Sequence, residues 1–195
     1  MCQQSTSLGF TDEVFPHGTH MCYFYNDEEE RREIISKYLA SGLAAGEKTL
    51  YFAKDIPITA LLDNLDNLGV DIESEQNKGN FEVQATKDVY HSDGIFDPDR
   101  QLAKLHQYYA NTLEQGYPGA RVGAEMHWAL EDIKGADRLL EYETRWNEEL
   151  KRSPVTAICQ YNTHLFDGNT VMQVLRVHPL VITNGQVVRN PFYSL

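Results

Sequence analysis

Five side chains in this sequence suit the gripping of a small organic molecule: Tyr25, Glu125, Trp128, Gln160 and Tyr161. The indole and phenols offer apolar walls with polar tips, while the carboxylate and the amide can fix orientation by hydrogen bonds. Each lies at or just beyond the C-terminal end of a segment that reads as a β-strand, where ligands bind in open α/β sheets. His20 and Cys22 make a second group, because they alternate with Met21 and so project from one face of their strand. Cys159 lies on another expected strand. Thiol plus imidazole is a set that holds zinc or haem, or one in which histidine activates a cysteine nucleophile.

Plainer accounts compete with each group. Trp128 and Tyr161 can pack under loops, and Glu125 can pair with Arg121 on the same face of its strand. No C-x-x-C or H-x-x-x-H spacing supports a metal, and no third orienting group stands at a recognisable distance. Buried, reduced, metal-free thiols beside a hydrogen-bonded histidine are therefore expected, with no catalytic residue, metal or cofactor assigned. Glu141, Glu143 and Glu148 fall on a charged helix and are expected on a solvated face.

The elements that must position these residues follow from period and punctuation. A strand over roughly 19–25 runs into Asn26 and Asp27; Asp27 with Glu30 fits a capping box, and Ile34, Ile35, Tyr38, Leu39 and Leu43 follow at helical spacing. Thr49–Ala53 is a buried strand, Pro57 opens a second helix that stops at Gly69, and 70–80 reads as loop. Phe81–Ala85 alternates as a strand. Asp97-Pro98 starts a helix carrying Leu102, Leu105, Tyr109 and Leu113, and Arg121–Met126 is the next strand. Leu139, Tyr142, Trp146 and Leu150 mark another helix, Val155–Tyr161 another strand, and Asp167 caps a short helix. Asn184-Gly185 is a type I′ hairpin signal between two terminal strands. Strands alternating with helices mean a mainly parallel, helix-covered α/β sheet.

In such a sheet the first strand-to-helix turn is where a phosphate-binding loop would sit. Here it reads Asn26-Asp27-Glu28-Glu29-Glu30, without glycine or lysine, and its carboxylates would repel a phosphate. The whole chain is acidic too, with 17 basic and 29 acidic residues and a net charge of −12. That balance argues against non-specific binding to nucleic acid or anionic membrane. Its 42% hydrophobic content is ordinary for a globular chain, and a length of 195 residues leaves room for a sizeable core. No apolar run approaches a transmembrane span, Met1–Phe10 is not a signal peptide, and Cys2, Cys22 and Cys159 form an odd, scattered set. A cytoplasmic protein with free thiols is expected. Residues 1–17 read as a polar, flexible lead-in, and 18–195 as a single domain.

Seven stretches together resemble the MEDS family, the methanogen/methylotroph DcmR-type sensory domain. They are His20–Tyr25 (HMCYFY), Gly42–Lys48 (GLAAGEK), Arg121–Trp128 (RVGAEMHW), Leu140–Glu143 (LEYE), Ile158–Tyr161 (ICQY), His178-Pro179 and Asn190–Tyr193 (NPFY). The resemblance implies a degenerate relative of the RecA/KaiC-type ATPase fold that has lost its phosphate loop. It also implies sensing of small molecules, with hydrocarbon derivatives proposed, and output through a kinase or DNA-binding module. No such module is recognisable in this sequence, so a separate signalling protein, kinase or transcription regulator, is the expected partner. Self-association is left open.

The leading reading is thus a non-catalytic small-molecule sensor. Its ligand would sit among Tyr25, Glu125, Trp128, Gln160, Tyr161, His20 and Cys22. The competing readings are an enzyme using Glu125 as acid/base or Cys22 as nucleophile, and an interaction module without ligand. Isothermal titration with magnesium and ATP is expected to register no micromolar binding, because the acidic turn offers carboxylates where a phosphate needs free N–H groups and positive charge. A magnesium-dependent isotherm would overturn the reading of that turn.

Overall fold

Parallel strands need a crossover between each pair, and the crossing helices bury the sheet on both faces. The computed structural model of the protein describes residues 5–194. Residues 1–4, with Cys2, and residue 195 lie outside the described residues. A small antiparallel pair, β1 (Ser5–Ser7) and β2 (Val14–Pro16), comes first. Then β3 (His20–Tyr25) runs into α1 (Glu28–Ala44), β4 (Lys48–Ala53), α2 (Ile58–Asn67), α3 (Ile72–Asn77), β5 (Phe81–Ala85) and α4 (Thr86–Tyr90). Next come α5 (Pro98–Glu114), β6 (Ala120–Glu125), 3-10 turns at His127–Leu130 and Ala136–Arg138, and α6 (Leu139–Glu149). Last are β7 (Val155–Asn162), α7 (Gly168–Val177), β8 (Leu180–Thr183) and β9 (Gln186–Arg189).

The main sheet has seven strands in the order β5-β4-β6-β7-β3-β8-β9. Its pairings are parallel apart from the β8–β9 hairpin. Asn184 and Gly185 turn that hairpin with φ of 47° and 68°, as a type I′ turn requires. Alternation divides the core in two. His20, Cys22, Val122, Ala124, Cys159 and Tyr161 face α5, α6 and α7, whereas Met21, Tyr23, Tyr25, Tyr51, Ile158 and Gln160 face α1 and α2.

Local signals explain most boundaries and some departures. Asp27 Oδ1 caps α1 by accepting from the amides of Glu29 and Glu30, at 2.8 Å each. The reciprocal half of the capping box is replaced, because the Glu30 carboxylate accepts from Tyr23 Oη at 3.3 Å. Within 70–80, read as loop, Asp71 caps the six-residue helix α3 through the Ser74 amide at 3.0 Å. That helix buries no residue, so no apolar stripe announced it.

The expectation of a flexible lead-in over residues 1–17 is corrected for its described part. Thr6 and Leu8 are buried, and β1 is tied to the main sheet by Arg121. Arg121 Nη2 donates to Thr6 Oγ1 at 2.7 Å and to the Ser7 carbonyl at 2.9 Å. Its Nε donates to Glu47 Oε2 at 2.7 Å, and its Nη1 to the Tyr38 carbonyl and Ser41 Oγ, both at 2.6 Å. All five guanidinium donors are thereby satisfied in a site shut from water. Gly42 makes the room: a Cβ there would stand 2.7 Å from Arg121 Cδ and Nε.

Arg121→Ala should destabilise the fold by about 3–5 kcal/mol, since it strands Glu47 as a buried charge without its cation. Urea denaturation measures the loss, and faster amide exchange in β1 would report release of the amino-terminal pair. Unchanged exchange there would contradict the anchoring role.

Candidate functional site

The strands ending at Tyr25, Glu125 and Asn162 are neighbours, as a shared site demands, but the sheet separates the expected ligand residues onto opposite faces. On the α1 side, Tyr25, Glu125 and Gln160 come together with two residues the sequence did not single out, Arg31 and Tyr51. Glu125 Oε1 accepts from Tyr51 Oη at 2.9 Å, and its Oε2 from the Asp55 amide at 2.8 Å. Arg31 Nη1 lies 3.3 Å from Glu125 Oε2 and donates to Tyr25 Oη at 3.1 Å. Gln160 Nε2 donates to Tyr51 Oη at 3.3 Å. Arg31 and Glu125 are buried, so the carboxylate neutralises an internal cation and its lone pairs are spent on the fold. The alternative pairing of Glu125 with Arg121 does not occur, because Arg121 faces Glu47 at the other end of the strand.

On the other face stand Trp128, Tyr161, His20 and Cys22, and they do not form one site either. Trp128 is fully buried, stacked on Tyr90 at 4.6 Å between ring centroids with Phe96 at 4.7 Å. Cys22 is sealed inside, its Sγ 3.7 Å from the Leu180 carbonyl, and burial pushes its thiol well above the ordinary value. His20 and Tyr161 instead converge on Glu143. Tyr161 Oη donates to Glu143 Oε1 at 3.0 Å, while His20 Nε2 lies 3.1 Å from Oε2. His178 Nε2 is 3.5 Å from the same oxygen, and Cys159 Sγ is 3.7 Å from it.

Glu143 therefore corrects the expectation of a solvated glutamate on α6, being wholly buried. Burial alone would raise its carboxyl, but the imidazoles of His178 and His20 outweigh that and hold it well below the usual carboxylate range. Burial, then the neighbouring His178, pulls His20 below its ordinary value against the attraction of Glu143. Burial, then Glu143, pushes the Cys159 thiol far up. Among the described residues, His20, Glu143, Cys159 and His178 form a group that could hold a metal ion, their ligand atoms all within 4.8 Å of one another.

The same face holds a cavity of about 310 Å³ between the sheet and helices α4, α5 and α6. Leu50, Phe52 and Val122 form its floor, Leu105 and Tyr108 one wall, and Tyr142 and Trp146 the other. Gln84, Asp88 and Lys104, exposed, make a polar edge. Partial burial, then the nearby Arg100, lowers the Lys104 ammonium, whose Nζ donates to the Val89 carbonyl at 3.0 Å. Tyr108 and Trp146 line this space, and their Oη and Nε1 are shut from solvent without a hydrogen-bond partner among the described residues. A buried donor left so costs about 1–3 kcal/mol, which a ligand acceptor would recover.

The profile of MEDS, described as the MEthanogen/methylotroph, DcmR Sensory domain, matches residues 19–179. The chain belongs to the MEDS family. Among curated proteins it is similar to the transcriptional repressor DcmR of Methylorubrum extorquens, 23% identical over 160 residues, covering 82% of this chain. The chain spans 57% of that relative's length. The MEDS domain also has the fold of KaiC-like proteins. One from Pyrococcus horikoshii superposes with a TM-score of 0.65 at 14% identity, over 92% of this chain and 79% of that one. The flagellar accessory protein FlaH of Methanocaldococcus jannaschii gives 0.61 at 11% identity, over 95% and 84%. These matches establish the RecA/KaiC-like fold and support a sensory or regulatory role.

Besides Arg31 and Tyr51, the cavity lining and Glu143 escaped the sequence reading. The cavity-lining positions of α4 and α5 look like any amphipathic stripe, and no signal marked them. Glu143 carried a signal, since it shares the stripe of Leu139, Tyr142 and Trp146, where a charge is out of place unless paired. For Glu125, the site on the α1 face implies a structural role. Glu125→Ala is expected to cost at least about 1.5–3 kcal/mol in urea denaturation, the worth of hydrogen bonds to a charged group, because buried Arg31 would keep only the exposed Glu28 as its counter-charge. A change under about 1 kcal/mol, the range of an exposed pair, would contradict the burial of that charge.

Proposed function

We propose that this MEDS domain senses a small, mostly apolar organic molecule held in the cavity between the sheet and helices α4, α5 and α6. The observation that carries the reading is an apolar space lined by aliphatic and aromatic residues, among them Tyr108 and Trp146, whose Oη and Nε1 have no partner among the described residues. Pockets for small molecules run from about 300 to 1,000 Å³, and this one stands at the lower end. It suits a hydrocarbon derivative with one or two acceptor oxygens rather than a nucleotide. The family match and the likeness to a repressor support a regulatory use of such binding.

Occupancy would be reported through α5 and α6, the two helices that wall the cavity and make polar surface contacts with each other. Arg145 Nη2 meets Asp99 Oδ1 at 2.5 Å, and His106 Nδ1 meets Glu149 Oε1 at 3.0 Å. A kinase or a transcription regulator is the class of partner we propose to read that surface. The enzyme reading finds less support, because the Cys22 thiol is sealed in the core and Glu125 is committed to Arg31, Tyr51 and backbone amides.

A panel of small hydrocarbon derivatives carrying one ether, carbonyl or hydroxyl oxygen tests the proposal. A true ligand at about a hundred times its Kd should raise unfolding stability by about 2.7 kcal/mol. Leu105→Trp, which fills the cavity from α5, should keep the cooperative melt and lose that response. Undiminished stabilisation in this variant would place the ligand elsewhere.

A further inference from the structure

We infer that His20, Glu143, Cys159 and His178 form a buried binding site for one divalent transition-metal ion of the zinc class. They come from β3, α6, β7 and the residue after α7, which their sequence spacing conceals. For Cys159 the proposed site departs from the expectation of metal-free thiols drawn from the missing C-x-x-C spacing.

Geometry is the first argument. A tetrahedral zinc with bonds of about 2.0–2.3 Å keeps its ligand atoms roughly 3.3–3.7 Å apart. Here His20 Nε2 lies 3.1 Å from Glu143 Oε2 and 3.4 Å from Cys159 Sγ. Cys159 Sγ and His178 Nε2 lie 3.7 and 3.5 Å from that same carboxylate oxygen. Four of the six separations thus stand at or near the tetrahedral range, and all the ligand atoms lie within 4.8 Å of one another, so small rotations would complete the set.

Proton accounting is the second. His178 Nδ1 lies 2.9 Å from the Val174 carbonyl, an acceptor, so this nitrogen carries the proton. Asn147 Nδ2 donates to the carbonyls of Glu143 and Val177, at 3.2 and 2.7 Å, which leaves its Oδ1 to accept from His20 Nδ1 at 3.2 Å. In neutral imidazoles both Nε2 lone pairs then point at Glu143 Oε2, itself a lone-pair donor. Three such donors on one point repel unless a positive charge lies among them. Among the described residues His178 Nε2 makes no hydrogen bond, its nearest carboxylate oxygen standing at 3.5 Å. Fixing each ligand histidine by a carbonyl behind it is also how metal sites set the tautomer.

Charge and ligand type select the ion. A divalent cation with one carboxylate and one thiolate is neutral, which a fully buried site favours. Binding transfers the Cys159 thiol proton to solvent as the sulfur–metal bond forms. Thiolate with two imidazoles suits zinc, while magnesium and calcium prefer all-oxygen sets. Four protein ligands leave no open position, so the ion would be structural: it would clamp α6 and the end of α7 to the central strands.

The test uses the full-length, untagged chain, stripped by chelator and reconstituted with Co²⁺. One cobalt per chain with a thiolate-to-cobalt charge-transfer band is expected, kept in Cys22→Ser and lost in Cys159→Ser. Asn147→Ala, which only positions His20, should fold and bind cobalt about 10–100-fold more weakly. It decides the matter should Cys159→Ser not fold. Absence of the band in the wild type, its survival in Cys159→Ser, or unchanged affinity in Asn147→Ala would each overturn the site.

Discussion

Every residue of β6, and all of β7 except its last, is shut away from water, and the rest of the structure answers to that dehydration. These two central strands nevertheless carry Arg121, Glu125, Cys159, Gln160 and Tyr161. A buried charge is tolerated only with a partner of opposite sign and its remaining hydrogen bonds made. Arg121 therefore draws Glu47, α1 and the amino-terminal pair onto one end of the sheet. Glu125 draws Arg31 and the loop at Asp55-Ile56 onto the other. On the opposite face, Tyr161 and Cys159 meet the buried carboxylate of Glu143, and with it α6.

That demand recasts the turn after β3. In a phosphate-binding fold the amides at the start of α1 would point to a ligand. Here the Asp27 side chain occupies two of them, at 2.8 Å each. Arg31, one turn further along, reaches inward to Glu125 and outward to Glu28, with Nη2 at 2.5 Å from its carboxylate. The helix that would cradle a nucleotide is bound to its own chain, and the ion pair beneath it closes the end of the sheet.

Much of this architecture was legible in the sequence because periodicity reports burial directly. The buried strands, the Asp97-Pro98 and Asp167 helix starts and the Asn184-Gly185 hairpin all rest on local chemistry. The candidate site was legible only in part. Strand ends were found, and β3, β6 and β7 proved adjacent, but alternation places Tyr25 and Glu125 on one face and Tyr161 on the other. A one-residue step along a strand reverses the face, so residues that look convergent at a rim can be separated by the whole sheet. Glu143 and His178 were harder still, because their meeting with His20 and Cys159 depends on how α6 and α7 dock, which no local pattern records.

The two polar and apolar features of the second face share one element, and that sharing makes a sensor intelligible. Along α6, Tyr142 and Trp146 wall the cavity, while Glu143 and Asn147, each one residue further on, belong to the buried histidine centre. Trp146 joins them directly, its ring stacked on His20 at 5.7 Å between centroids. A ligand shifts a conformational equilibrium only by the difference in its affinity for the two states. Bonding to Trp146 Nε1 would supply that difference if α6 could slide, but the Glu143 anchor resists sliding. The anchor thus sets the stiffness against which the cavity works: a looser centre gives more motion per bound molecule and less stability, a tighter one the reverse. Helix α5 packs beside α6 and is joined to it at the surface by Arg145 and Asp99, so on the proposed reading it would be the first element to feel a shift of α6. On the proposed reading, the outward face of that helix pair is where a change in the cavity would reach the surface.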